Sequence, residues 1–158
     1  MQDSLVRSLR AQRPEIRTRW EALLRIERAN TPLANPDALV FMLDWTLDEM
    51  FTAFANPHAR RRAARLADGT GAKAHCPCGR NPLLTYFAAG EQALDEALVL
   101  AQADLPALDP VERDAAFADL TLVVREISKR EIESFCAVCQ YRNVAQATVA
   151  AGSAAGRG

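Results

Sequence analysis

At 158 residues the chain has the size of one ordinary domain, which argues against a second domain with its own core. Thirty alanines against thirteen valines and isoleucines favour helices over sheets. A net charge of −1 excludes a globally basic nucleic-acid binder and an acidic solvating tail, and no apolar run approaches the roughly 18 residues of a membrane span. The first turns carry Asp3, Arg7 and Arg10 and so lack a secretory core. These features lead us to expect a cytoplasmic, soluble, all-α protein. Seventeen arginines against two lysines are read as genome composition rather than function.

Taken in order, the first helix is expected from about Ser4 to Gln12, and a second from Pro14, in its first turn, to about Ala29. In the second, Ile16, Trp20, Leu23 and Leu24 form an apolar stripe opposite Arg17, Arg19, Glu21, Arg25 and Arg28. The connector from Asn30 to Pro36 holds two asparagines and two prolines, ending in an Asn35 cap with Pro36 at the first helical position. From Pro36 to about Asn56 one helix is predicted. Leu39, Leu43, Leu47, Met50 and Phe54 make its stripe, and Val40, Phe41, Trp45 and Phe51 widen it, which suggests a helix central in the bundle.

Pro57 ends that helix. His58 follows as a surface or capping residue, and the segment from His58 to Arg80 then carries about +5 while the remainder carries about −6. Glycines and Pro77 mark residues 67–81 as a loop, and Asn81-Pro82 repeats the cap-plus-proline start signal for a helix to about Ala103. A short linker bracketed by Pro106 and Pro110 leads through an Asp109 cap into a long last helix, expected to reach Ala147. Residues 1–148 are read as one helical domain of five to six helices, and 149–158 as a disordered tail.

Every cysteine belongs to a close pair: Cys76-Pro77-Cys78 in the loop, and Cys136-Ala137-Val138-Cys139 near the end of the last helix. Residues three apart on a helix are neighbours, so the thiolates of Cys136 and Cys139 can converge on one ion. Four thiolates from a loop and a helix suit tetrahedral zinc, and also an iron–sulfur cluster. Zinc is expected because the chain shows no other redox group. His75 stands next to Cys76 as an alternate ligand or as a hydrogen-bonding neighbour of a sulfur. Two blander readings compete: buried cysteine as a small hydrophobe, and a thiol redox switch. A catalytic pair wants its first thiol at a helix N-terminus, and Cys136 lies late in a helix, which favours a metal over a thiol-dependent enzyme.

The run Arg60, Arg61, Arg62 and Arg65 is a possible anion site, with a solvated helix face as its plainer reading. No aromatic interleaving supports base reading, so nucleic acid is not expected as a partner. Glu91 falls in the apolar row between Phe87 and Leu94, where pairing with Arg80 or Arg125 is a better expectation than a catalytic base. Asp44 and Asp48 lie one turn apart without the Glu-x-x-His pattern of a di-iron bundle. With no phosphate loop and no nucleophile elbow, an enzyme is the weaker class.

Leu9-Arg10, Trp20-Glu21-Ala22-Leu23-Leu24, Pro32-Leu33-Ala34-Asn35-Pro36-Asp37-Ala38-Leu39 and Leu47-Asp48-Glu49-Met50 together give residues 4–105 a pattern that resembles the N-terminal sensory helical domain of RsbRD-type bacterial regulators. Those domains stand in front of histidine kinases and stressosome proteins. The resemblance implies an all-helical, globin-like or bundle sensor module able to dimerise; the two cysteine pairs are no part of that pattern. The combined expectation is a bacterial regulatory or sensor-like protein that acts through protein contacts. In it, the loop with Cys76 and Cys78 is fastened to the last helix by zinc; an iron–sulfur redox or gas sensor is the alternative.

Overall fold

The computed structural model describes residues 1–26, 36–56, 76 and 79–139. The described secondary structure is entirely helical: α1 (Asp3–Ala11), α2 (Arg13–Ile26), α3 (Pro36–Val40), α4 (Leu43–Ala55), α5 (Pro82–Ala103) and α6 (Pro110–Val138). The expected all-α class is therefore observed. Helices α4, α2, α5 and α6 form a ring in which each packs on its neighbours, while α1 contacts α5, α4 and α2, and α3 rests on α2. The core of this ring is filled by Leu5, Leu9, Ile16, Trp20, Leu24, Leu47, Phe54 and Leu94, all essentially without solvent contact.

Two helix starts follow the expected chemistry. The Asn81 side-chain oxygen accepts the Leu83 N–H at 2.9 Å and that of Asp109 accepts the Val111 N–H at 2.7 Å, each with proline at the first helical position, where no N–H is missed. The α5–α6 connection is locked from within. Arg113 donates to the Leu108 and Leu105 carbonyls at 3.2 and 3.4 Å, and the buried Gln102 amide donates back to the Arg113 carbonyl at 3.1 Å.

Three expectations need correction. The single helix drawn from Pro36 to Asn56 is two helices joined by a turn at Phe41-Met42, where the Met42 N–H bonds to the Leu39 carbonyl at 3.0 Å. No residue there is a helix breaker; Leu39 and Leu43 both reach the core while Phe41 stays 88% exposed and Trp45 54% exposed. The broad apolar surface of this region therefore does not place it at the centre of the bundle.

That position belongs to α5, which packs most extensively, on α2 and α6. Ala89, Ala93, Ala97 and Ala101 recur every fourth residue on its buried side, with Gly90 beside them, and so make a shallow ridge that lets neighbouring helices approach closely. Part of the alanine content is thus a packing device and not only a source of helix propensity.

Helix α6 ends at Val138 rather than near Ala147. Its buried stripe runs through Ala116, Leu120, Val124, Ile127, Ile132 and Cys136, Val138 is 83% exposed, and Cys139 is extended backbone at the C-cap. The expected tail, residues 149–158, lies outside the described residues, as do the Asn30–Asn35 part of the first connector and His58.

The arginines of α2 do more than face solvent. Arg13 and Arg17 reach Asp44 and Asp48 at the start of α4, Arg25 reaches Asp37 of α3, and Arg19 makes a two-pronged bond to Glu96 of α5 at 2.7 and 2.9 Å. Arg130 of α6 bonds Glu49 of α4 at 2.6 Å. Each pair joins two helices, and at such exposure solvent screening keeps the contribution of each small.

Candidate functional site

Three of the four cysteines lie among the described residues, and the buried two share the same core cluster: Cys76 is 5% exposed and Cys136 8%. Cys139 is half-buried. The carbonyl of the first cysteine of each pair accepts a hydrogen bond from the residue three positions on. The Cys76 carbonyl accepts the Gly79 N–H at 3.0 Å, and the Cys136 carbonyl accepts the Cys139 N–H at 3.4 Å. Gly79 sits at φ +65°, the left-handed conformation that glycine adopts without penalty, and this carries the chain from Cys76 toward Asn81. Cys139 has left the helix with extended backbone, φ −76° and ψ 115°, so the second pair spans a helix terminus rather than a helix interior.

Asn81 joins the two cysteine segments. Its side chain is buried, 2% exposed, and its amide nitrogen donates to the Ile132 carbonyl at 3.3 Å and to the Cys136 sulfur at 3.5 Å. With its oxygen capping α5, all three of its strong interactions are made inside the protein. The residue five positions after Cys76 thereby grips the turn of α6 that bears Cys136. Asparagine before proline is legible in the sequence as a helix cap; the second use of its amide, toward sulfur, depends on a contact 55 residues away and leaves no local signal.

Among the described residues no three histidine, cysteine, aspartate or glutamate side chains gather as a metal-binding group. Cys78 and His75 lie outside the described residues, as does the arginine run Arg60, Arg61, Arg62 and Arg65. Thiols are soft donors of the kind a thiophilic ion takes, but the described Cys76, Cys136 and Cys139 are not brought together as such a group.

Glu91 is half-buried and, among the described residues, pairs with neither Arg80 nor Arg125. Its charge adds to burial in raising the neighbouring Asp95 carboxyl above the usual range. Asp44 is committed to Arg17 and Arg13, which hold its carboxyl below the usual range. A groove of about 350 Å³ between α2 and α5 is lined by Leu23, Leu84, Thr85, Ala88, Ala89 and Gln92, none of them titratable. The deepest polar contact is a Tyr86 hydroxyl donating to Thr46 at 2.9 Å, which in turn donates to the Met42 carbonyl at 3.0 Å; burial holds the phenol well above its ordinary range.

No described helix is long and apolar enough to cross a membrane. Comparison with family models, with curated proteins and with solved structures returned no match to the chain.

Proposed function

We propose that this chain is a bacterial regulatory or sensor-like helical protein in which Cys76, Cys78, Cys136 and Cys139 hold one structural zinc ion, and that it acts through protein contacts. The observation that carries the reading is the Asn81 bridge. The side-chain amide of Asn81, five residues after Cys76, donates to the Cys136 sulfur and to the Ile132 carbonyl one turn earlier on α6. A metal at this junction would close a loop of about 60 residues between the pairs, and its binding free energy would become folding free energy. The modest packing volume of an alanine-rich core gives such a fastener scope to matter.

Protein contact as the mode of action is supported by the aromatic pair Phe41 and Trp45, exposed at the α3–α4 turn, and by the exposed Val99 and Leu100 of α5. The resemblance to RsbRD-type sensory domains implies an all-helical module, and the described secondary structure is all-helical. The test is metal analysis combined with an absorption spectrum on protein purified anaerobically without added metal. A colourless, zinc-containing protein supports the reading. Visible absorbance with iron and sulfide assigns the same four ligands to a cluster and a redox or gas-sensing role.

A further inference from the structure

We infer that Cys136 and Cys139 form a redox pair in their own right: hydrogen peroxide converts their two thiols into one disulfide at the end of α6. The inference goes beyond the zinc reading, because it needs only these two residues and stands whether or not a metal is held. The helical backbone runs through Val138, and Cys139 keeps a near-helical φ of −76° and departs only in ψ, at 115°. Both side chains therefore start on one face, with Cβ atoms about 5–6 Å apart. A disulfide takes about 3.5–4.5 Å between these atoms, so closure needs a shift of about 1 Å.

The helix terminus permits that shift. Inside a helix it would disturb the hydrogen-bond ladder on both sides, whereas Cys139 is the C-cap, joined to α6 by an N–H bond to the Cys136 carbonyl that is already 3.4 Å long. Cys136 is the fixed member. It is 8% exposed within the core cluster, and its sulfur accepts the Asn81 amide at 3.5 Å. Cys139 is half-buried and is the member that a small oxidant reaches.

The chemistry then has a fixed order. The Cys139 thiol loses its proton and its sulfur attacks one peroxide oxygen; the O–O bond breaks, a sulfenic acid forms, and the departing hydroxide takes up a proton to leave as water. The Cys136 thiol loses its proton as its sulfur attacks the sulfenic sulfur. The S–S bond forms, the S–O bond breaks, and a second water leaves. Two electrons pass from the pair to the peroxide. Closure pins Cys139 against the last turn of α6, so the redox state sets how the chain leaves that helix.

Peptide mapping tests this on the full chain. Cleavage after Arg130 and Arg142 releases residues 131–142, which hold Cys136, Cys139 and no other cysteine. After peroxide and then iodoacetamide, this peptide is expected to be unalkylated and lighter by two hydrogens, and dithiothreitol should restore both thiols. In Cys136→Ser, dimedone should trap the sulfenic acid on Cys139; closure in the parent without that adduct would overturn the assigned order. The mapping is run on the chain as purified and again after chelator treatment, which tells thiols shielded by a metal from a pair unable to close. Closure in either preparation supports the inference. Alkylation of both cysteines in both preparations, a disulfide to the peptide of residues 74–80 instead, or oxidation that dithiothreitol does not reverse would overturn it. A chain that holds no metal and still closes the pair would overturn the zinc reading alone.

Discussion

The indole of Trp20 occupies the space that a side chain at position 90 would need. A Cβ built on Gly90 would fall 2.3 Å from the ring carbon Cζ2 of Trp20, well inside any tolerable contact. The ring cannot easily move away, because its Nε1 donates to the Tyr86 carbonyl at 2.9 Å and its face packs against the Tyr86 ring with centroids 4.8 Å apart. Here α2 meets α5 with the indole set against the glycine, and the helix accepts the lower propensity of glycine to permit it.

Gly90→Ala is therefore expected to destabilise the protein by about 1–3 kcal/mol, despite the better helix propensity of alanine. Urea unfolding midpoints check this. In the Trp20→Phe background the same substitution should be less harmful, giving a coupling between the two sites; additive effects would show that the ring yields freely.

The ion pair between Arg19 and Glu96 sets an acid limb of stability. Hydrogen bonds from Arg19 and Gln92 hold the Glu96 carboxyl at about 2, against an ordinary value of 4.5. A carboxyl more acidic in the folded chain stabilises it fully above about pH 4.5, and that contribution is lost as pH falls toward about 2. Both groups are more than two-fifths exposed, so solvent screening keeps the effect small. Arg19→Gln should accordingly lower the urea midpoint slightly near neutrality and leave it unchanged near pH 2; an equal loss at both ends would place the effect in packing instead.

Arg113 tests the α5–α6 connection. Replacing it by alanine removes donors to the Leu105 and Leu108 carbonyls, and Leu108 is buried. The expected cost is about 1–3 kcal/mol in the thermal or denaturant midpoint. Hydrogen exchange should locate the loosening at residues 104–109 and the first turn of α6; a loss spread evenly over the chain would argue against a local lock.

Phe41 and Trp45 are expected to be dispensable for folding. Phe41→Ser with Trp45→Ser should change stability by no more than about 0.5 kcal/mol, because both side chains are largely in solvent. A larger loss would show that the pair is covered in solution, and size-exclusion chromatography of parent and variant would report whether a second copy covers it.

The helices that begin with a cap and a proline were legible in the residues themselves: Asn81-Pro82 and Asp109-Pro110 place the starts of α5 and α6 where the structure has them. What was not legible depended on neighbours. The turn at Phe41-Met42 has no breaker residue, and Leu39 and Leu43, four residues apart, would share one face of a continuous helix as well, so the residues there carry no signal for it. The prominence of α5 hides in small residues, since alanine every fourth position reads as propensity until a partner helix is seen resting on it. At the site, the pairing of cysteines is visible in sequence, and the Asn81 amide that ties one segment to the other is not.

The central claim is that the four cysteines hold a single metal ion, and the most direct test is the zinc-to-protein ratio of the parent chain beside Cys78→Ser and Cys136→Ser, all prepared alike. The account predicts about one zinc per parent chain, a substantially lower ratio in both variants, and a lower melting temperature in step with the lost metal. A parent chain without metal, or variants that keep the full parent ratio, would contradict it.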